Sequence, residues 1–411
     1  MQQVERHIVK QNNPIWQQID QLCFLSKNLY NYANYLIRQS FIFERTYLGF
    51  NKIYHQVKEQ PDYQALPRKV SQQVLRTLDK NWQSFFQANQ AYKENPSLFT
   101  GRPRLPKYKH KTKGRNLLIY TIQAISKTRL KKDQVKLSGT DIIVATKVKN
   151  IVQARIIPKV GQYVIEIVYE KPEDYTVNNP EAWAAIDIGV SNLAALTSNQ
   201  KGFVPILING RPLKSLNQFY NKNRAKLQSS LPQNQSTSQL IQRLTANRNN
   251  RIDTYLHQAS RWIINHLDKQ GIGKLIVGKN PLWKQAVNNG QKNNQSFVNI
   301  PHARFIEMLI YKGAMKGIKV ITAEESYTSK ASFLNLDSLP NYGDADAQKV
   351  KFSGYRETRG NYKIKGKATR INADVNGSYN ILRKVVPTAF AQGIEGVVVR
   401  PIRVTPGNAN N

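Results

Sequence analysis

The run Trp183-Ala-Ala-Ile-Asp-Ile-Gly-Val-Ser-Asn-Leu-Ala-Ala-Leu196 constrains this chain more than any other stretch. Its apolar residues belong inside a fold, as strand, yet it carries one carboxylate, Asp187, just ahead of a glycine-containing turn. A buried, unpartnered charge is costly, so Asp187 needs a partner. One candidate is the backbone of the turn Val190-Ser191-Asn192, the ordinary use of an Asp at the end of a strand. The other is a divalent metal facing a nucleic-acid phosphate, because phosphoryl transfer needs cations held by carboxylates.

Charge favours the second. Lys and Arg total 61 against 26 Asp and Glu, a formal charge of +35, so the expected partner is a polyanion. Twenty Tyr, 14 Phe and 5 Trp supply faces on which bases could stack. With 411 residues, 40% of them hydrophobic, the chain can build two or three cored domains. No apolar run reaches about 18 residues and the first residues lack a secretion signal. These features predict a cytoplasmic, nucleoid-associated protein with no membrane partner. The single cysteine, Cys23, excludes a disulfide framework and any zinc site built from several thiolates.

Three zones follow one another. From Pro14 to about Glu94 the pattern is helical: Trp16, Ile19, Cys23, Leu29, Ala33 and Ile37 form one stripe and Val70, Val74, Leu78, Trp82 and Phe85 another. The polar face between them, with Lys27, Arg38, Arg68, Lys69, Arg76 and Lys80, could track a nucleic-acid backbone. From Pro96 to Lys132 there are eleven Lys or Arg and no acid, with prolines holding Arg102-Pro-Arg-Leu-Pro-Lys-Tyr-Lys109 extended. Tyr108 and Tyr120 interleave these charges, which favours a nucleic-acid-contacting surface over a solvated linker. Ile142–Val148, Ile151–Ile157 and Tyr163–Tyr169 then alternate as antiparallel strands of a small β-domain, and the loop 171–180 is a boundary.

Beyond the loop come strands at 183–188, 193–198 and 203–208, and a helical region over 212–270 interrupted near 228–238. Next are a strand at 274–277, a helix over about 299–316, a strand at 318–321, an irregular insert and a last helix from Asp374. That is the ribonuclease-H-like order, a sheet whose carboxylates converge on metals. Asp374 stands where its helix begins, so its ordinary role would be an N-cap. Val375, Tyr379 and Leu382 form the inward stripe of that helix, whereas Asp374, Asn376 and Asn380 cluster on another face, which points to a site.

Asp-Ile-Gly-Val-Ser-Asn-Leu-Ala at 187–194, Tyr-Thr-Ser-Lys at 327–330 and Asp-Val-Asn-Gly-Ser-Tyr-Asn-Ile at 374–381, met in this order, resemble TnpB, the OrfB-type family of insertion-sequence transposons. Lys27-Asn-Leu-Tyr-Asn-Tyr-Ala and Gly101-Arg-Pro-Arg-Leu-Pro-Lys-Tyr-Lys109 are similar to that family too. The resemblance implies an RNA-guided DNA endonuclease related to the ancestors of type V CRISPR effectors, with a multidomain α+β fold. Its parts would be a β-barrel wedge domain (1–13 and 96–178), a helical recognition domain (14–95), and a ribonuclease-H-like (RuvC) α/β nuclease domain (181–325 and 373–386). An insert (326–372) and a C-terminal tail (387–411) complete the chain. The implied partners are a transposon-derived guide RNA and double-stranded target DNA, with base pairing reading sequence and a monomeric protein holding the heteroduplex by shape and charge.

Two departures from the family pattern bear on function. The four-cysteine zinc ribbon common after Tyr-Thr-Ser-Lys is replaced by Ala331-Ser-Phe-Leu-Asn-Leu-Asp-Ser-Leu-Pro340, so no structural zinc is expected; Phe333, Leu334 and Leu336 would anchor the insert instead. The usual second acidic residue, a Glu closing the strand at 274–277, is replaced by Gly278. Glu325, with Glu324 as the alternative, closes the next strand, about 4.8 Å away, and could reach the same metals. The expected site is therefore Asp187, Glu325 and Asp374 holding two Mg2+ (or Mn2+), Asp187 bridging both. Lys330 and Arg383 would neutralise phosphate, and Arg102, Arg104, Lys107, Tyr108 and Lys109 would contact nucleic acid. Two alternatives stand beside this reading: a nuclease-inactive RNA-guided DNA-binding repressor, which Gly278 favours, and a transposase or accessory transposition protein.

Overall fold

A computed structural model of the chain describes residues 2–171, 179–279, 300–344, 347 and 349–407. The expected boundary loop 171–180 thus falls mostly on residues 172–178, outside them. The chain divides into two compact units, Met1–Pro172 and Glu173–Asn411.

In the first unit, strand β1 (Gln2–Val9) precedes helices α1 (Trp16–Phe43), α2 (Phe50–Val57), α3 (Pro61–Gln64) and α4 (Arg68–Glu94). Then come β2 (Leu118–Thr121), the short α5 (Lys127–Leu130), β3 (Gln134–Lys136), β4 (Ile143–Ala145), β5 (Ile151–Lys159) and β6 (Gln162–Glu170). The apolar stripes of α1 and α4 are buried as the three- to four-residue spacing requires, with Ile19, Cys23, Ala33, Val70, Leu78 and Trp82 inside. Trp82 Nε1 donates to Asn34 Oδ1 at 3.0 Å, so the polar edge of the buried indole is satisfied. These helices share one core with the strands, through Leu118, Tyr120, Ile156 and Ile165. The strands described make an open four-stranded antiparallel sheet, in the order β1-β6-β5-β2, and a separate β3-β4 ladder, rather than a closed barrel.

The second unit contains β7 (Trp183–Ile188), β8 (Asn192–Ser198), β9 (Ile206–Asn209), α6 (Arg211–Ser229), α7 (Gln239–Lys269) and β10 (Lys274–Gly278). After them follow α8 (His302–Ala314), β11 (Lys319–Ala323), the insert strands β12 (Gly354–Arg356), β13 (Asn361–Ile364) and β14 (Arg370–Asn372), then α9 (Ala373–Val385) and β15 (Ile402–Val404). Six strands form one sheet in the order β11-β10-β7-β8-β9-β15, with β7, β8 and β9 antiparallel and β10 and β11 parallel to β7. The expected tail is therefore not outside this sheet: Ile402–Val404 pairs in parallel with β9 as its outermost strand.

Strand periodicity sorts the side chains onto two faces. Ala184, Ile186, Leu275 and Val277 pack with α7 and α8, whereas Ala185 and Ile276 pack with α9 and Phe333. Asp187 and Gly278 continue the second set and so lie on the α9 face. Helix α9 is stitched to that face by Ser378, whose Oγ donates to Ala185 O at 2.9 Å and lies 2.9 Å from Thr197 Oγ1. No helix among the described residues is long and apolar enough to cross a membrane.

Candidate active site and nucleic-acid interface

On the α9 face three strand ends line up. Ile186 pairs with Val277 and Gly278 with Ala323, so Asp187, Gly278 and Ala323 form a row across β7, β10 and β11, and Glu325 follows two residues beyond it. The row explains Gly278. A β-carbon built there would stand within 3.0 Å of Glu325 Oε2 and 2.6 Å from Ile381 Cδ1, so the Glu325 carboxylate occupies the space that a side chain at 278 would take. On the other side of the row, a β-carbon on Gly377 of α9 would meet Asp187 Oδ2 at 2.6 Å. Only a glycine lets the helix approach the Asp187 carboxylate this closely.

Asp187 does not bond its turn; among the described residues no donor reaches its carboxylate. The turn uses other groups, His302 Nε2 lying 3.1 Å from Gly189 O. Burial raises the Asp187 pKa well above the carboxylate range, the charges of Glu325 and Asp374 push it further, and Arg356 pulls it back. Glu325 is raised to about 7, by burial first and then by the neighbouring Glu324 charge. Two carboxylates that burial keeps from ionising, Asp187 and Glu325, are groups that a bound cation would relieve. Next to them Asn192 gives its Nδ2 to Asp374 Oδ2 at 2.7 Å, while its buried Oδ1 has no donor among the described residues. An unsatisfied amide oxygen beside carboxylates is the donor chemistry of a hard divalent ion. As placed, no three His, Cys, Asp or Glu side chains among the described residues stand close enough together to share an ion.

Asp374 does not cap its helix. Asn372 does, accepting from the backbone N–H of Asp374 and of Val375 at 3.1 Å each. The Asp374 carboxylate instead takes Asn192 and, at 2.9 Å, Arg356 Nη2 from the insert. The structure also separates the two glutamates. Glu324 is ion-paired with Lys384 and accepts from Ser326 N at 2.7 Å, contacts that outweigh its burial and hold its pKa below the usual range. It is a structural anchor; Glu325 lies beyond the row, against Gly278.

Other expected positions have other work. Asn376 and Asn380 are fully buried and hold the insert by its backbone: Asn376 donates to Ala331 O and accepts from Phe333 N, and Asn380 donates to Thr328 O and Ala331 O. Phe333 stacks on Tyr379 with ring centroids 4.2 Å apart, whereas Leu336 is exposed and contributes no anchor. Arg383 is half-buried against Asn380 Oδ1 and Asp337 O, which leaves it a structural role. Lys330 is exposed, its ammonium 5.6 Å from the Tyr327 ring.

In the first unit, the basic segment 102–111 lies along α1 as a strap held by its backbone. Asn34 and Arg38 donate to Pro106 O, Asn31 exchanges two hydrogen bonds with Lys109, and the buried Lys27 donates to Lys111 O. Lys27 and Arg38 therefore position the strap instead of tracking a backbone themselves. With its main chain tied down, the strap exposes Arg102, Arg104, Lys107, Tyr108 and Lys109. Tyr108 lies 5.0 Å from the Arg38 guanidinium, while Tyr120 is fully buried and cannot stack on a base.

Two residues escaped the sequence reading. Arg356 carried no signal among 61 Lys and Arg, and Asn192 was visible only as one letter of the 187–194 motif.

Comparison with known proteins places this architecture. Residues 166–283 match the family model OrfB_IS605, a probable transposase, and residues 302–381 match the Cas12f1-like TNB domain. No curated protein matches. Similar solved structures include a Cas12f1–sgRNA–target DNA complex (14% identity, TM-score 0.38, covering 92% of this chain and 98% of the other). A CRISPR-Cas12f ternary complex is similar too (14%, 0.37, 89% and 82%), as is Alicyclobacillus acidoterrestris C2c1 with single-guide RNA (9%, 0.33, 90% and 70%). In these two stretches the chain is similar to TnpB-type proteins.

Proposed function

We propose that this protein is an RNA-guided DNA endonuclease that hydrolyses target phosphodiesters at a ribonuclease-H-like (RuvC) site formed by Asp187, Glu325 and Asp374. The observation that carries the proposal is the Glu325 carboxylate in the room that Gly278 leaves on the Asp187 face of the sheet, where it would stand in for the missing acid. The similarity to the two family models and a charge of +35 support guide RNA and DNA as partners. The first unit would supply the wedge and recognition surfaces, and the strap would grip phosphates.

Bound divalent ions such as Mg2+ would supply Lewis-acid activation of water and charge neutralisation at the leaving oxygen. The chain's own residues would prepare for that. Asp187, Glu325 and Asp374 would hold the ions, with the Asn192 amide oxygen as a neutral donor. Arg356, paired with Asp374 in this structure, would turn to the scissile phosphate, where a guanidinium matches two oxygens. Gly377 keeps α9 close enough for its first turn to present Asp374 to the strand ends.

The test is plasmid cleavage by the full chain purified with its RNA, comparing wild type with Asp187→Asn. Cutting should disappear while RNA binding is unchanged; undiminished cutting would overturn the assignment. A wild type that binds its target without cutting would support the repressor reading, which Gly278 alone favours.

A further inference from the structure

The hairpin of α6 and α7 carries eight Lys or Arg and no acid between residues 211 and 252, yet its surface is not uniformly polar. A groove of about 660 Å³ runs between the two helices, within the roughly 300–1,000 Å³ of small-molecule sites. Its floor is apolar, with Leu216 and Tyr255. One wall is Phe219, 61% exposed. The rim carries Arg251, Thr254 and Gln258 from one face of α7, all exposed. The hairpin is braced beneath by Arg248, which gives two hydrogen bonds to Asn217 Oδ1, at 2.9 and 2.6 Å. Arg251 has no hydrogen-bond or ion-pair partner among the described residues.

A large aromatic ring left in water on a cationic face calls for a ligand that is anionic and flat. A nucleotide is both. A base inside a duplex has its faces covered, so only an unstacked one can lie against Phe219, and such bases are offered by the loops, bulges and ends of RNA. We propose that this groove holds one unstacked nucleotide of an RNA single strand, its base against the Phe219 ring and its phosphate at Arg251, with Thr254 and Gln258 facing the sugar and base edge. The inference rests on the nucleic-acid reading of the chain and adds a site on the second unit distinct from the carboxylates and from the strap.

The experiment uses the full chain and a labelled short single-stranded RNA, with affinity read by fluorescence anisotropy across a salt series. The variants are Phe219→Ala, Phe219→Trp and Arg251→Ala. Because these side chains are exposed, the fold should be unaffected. Phe219→Ala should weaken binding roughly tenfold at fixed salt with the salt slope unchanged. Phe219→Trp should restore the affinity, and Arg251→Ala should lower the slope by about 0.7. If Phe219→Ala binds like wild type while removal of the strap cations still weakens binding, the groove is refuted and the nucleic-acid reading survives. A wild type that binds no RNA refutes both. A single-stranded DNA of the same sequence, bound as tightly and equally sensitive to Phe219→Ala, would overturn the assignment to RNA.

Discussion

Replacing Glu325 by glutamine separates the energetic burden of the site from its chemistry. In the folded protein the Glu325 pKa is raised from 4.5 to about 7. A raised carboxylate keeps its proton in the folded state and loses it in the unfolded state, so the folded chain binds the extra proton between about pH 4.5 and 7. Stability attributable to this group therefore falls as pH rises through that window, and the loss is complete above the folded pKa. At 1.36 kcal/mol per pKa unit, the ionised group costs about 3 kcal/mol at pH 8 and under about 1 kcal/mol at pH 5. Glutamine imitates the protonated acid and escapes this cost. In EDTA, Glu325→Gln should match wild type near pH 5 and exceed it by about 3 kcal/mol at pH 8, which at about 2–4 °C per kcal/mol raises Tm by roughly 6–12 °C. Thermal unfolding at the two pH values measures this. Adding Mg2+ should stabilise wild type far more than the variant, because an ion that binds only the folded state stabilises by mass action. The same substitution should abolish plasmid cleavage. Equal Tm values at pH 8, or a variant that still cuts, would refute the placement of Glu325 among the acids of the site.

Two further outcomes follow from the same geometry. Arg102→Ala, Arg104→Ala and Lys107→Ala combined should reduce the slope of log affinity against log salt by about 2 to 3 without altering the thermal melt, since the strap is held by its backbone and the three side chains are exposed; an unchanged slope would remove it from the interface. Gly278→Glu alone should lose cleavage, because its side chain would collide with Glu325, whereas Gly278→Glu with Glu325→Ala should recover part of it by returning the acid to the central strand; a double variant as inactive as Glu325→Ala would count against the equivalence of the two positions.

The elements that place the site were legible because they are long or strongly patterned. The apolar run over 183–196 marks both strands, and strand parity puts Asp187 on the face of α9. The stripe Val375, Tyr379, Leu382 gave that helix its inward side, and all three are buried. What stayed hidden was decided by single hydrogen bonds. Asn372 and Asp374 are both good capping residues, and only the bonds to the Asp374 and Val375 N–H groups assign the cap to Asn372. Asn376 and Asn380 sit beside Asp374 on a polar face that looked like part of a site, but their amides hold the insert. Strand β15 is three residues long, too short for any period to mark it, and its place is fixed by pairing with β9. Tyr120 shows the opposite failure: interleaved among cations it looked available to a base, yet it falls on the inward parity of β2.

The departure at Gly278 bears on activity only when both strands are considered. Read alone, the loss of an acid from β10 argues for a protein that binds and does not cut. In the sheet, β10 and β11 run parallel with Gly278 opposite Ala323, and the chain leaving β11 brings Glu325 back over Gly278. A side chain at 278 and the carboxylate of 325, as placed, compete for the same volume. Drift in an abandoned site gives no reason for a carboxylate to stand beside the glycine. Here the space beside Gly278 is filled by a carboxylate that its surroundings make costly to ionise, and its neighbour Glu324 is tied to Lys384 in a separate anchoring pair. An acid kept at that place despite its cost is what the proposed relocated ligand requires.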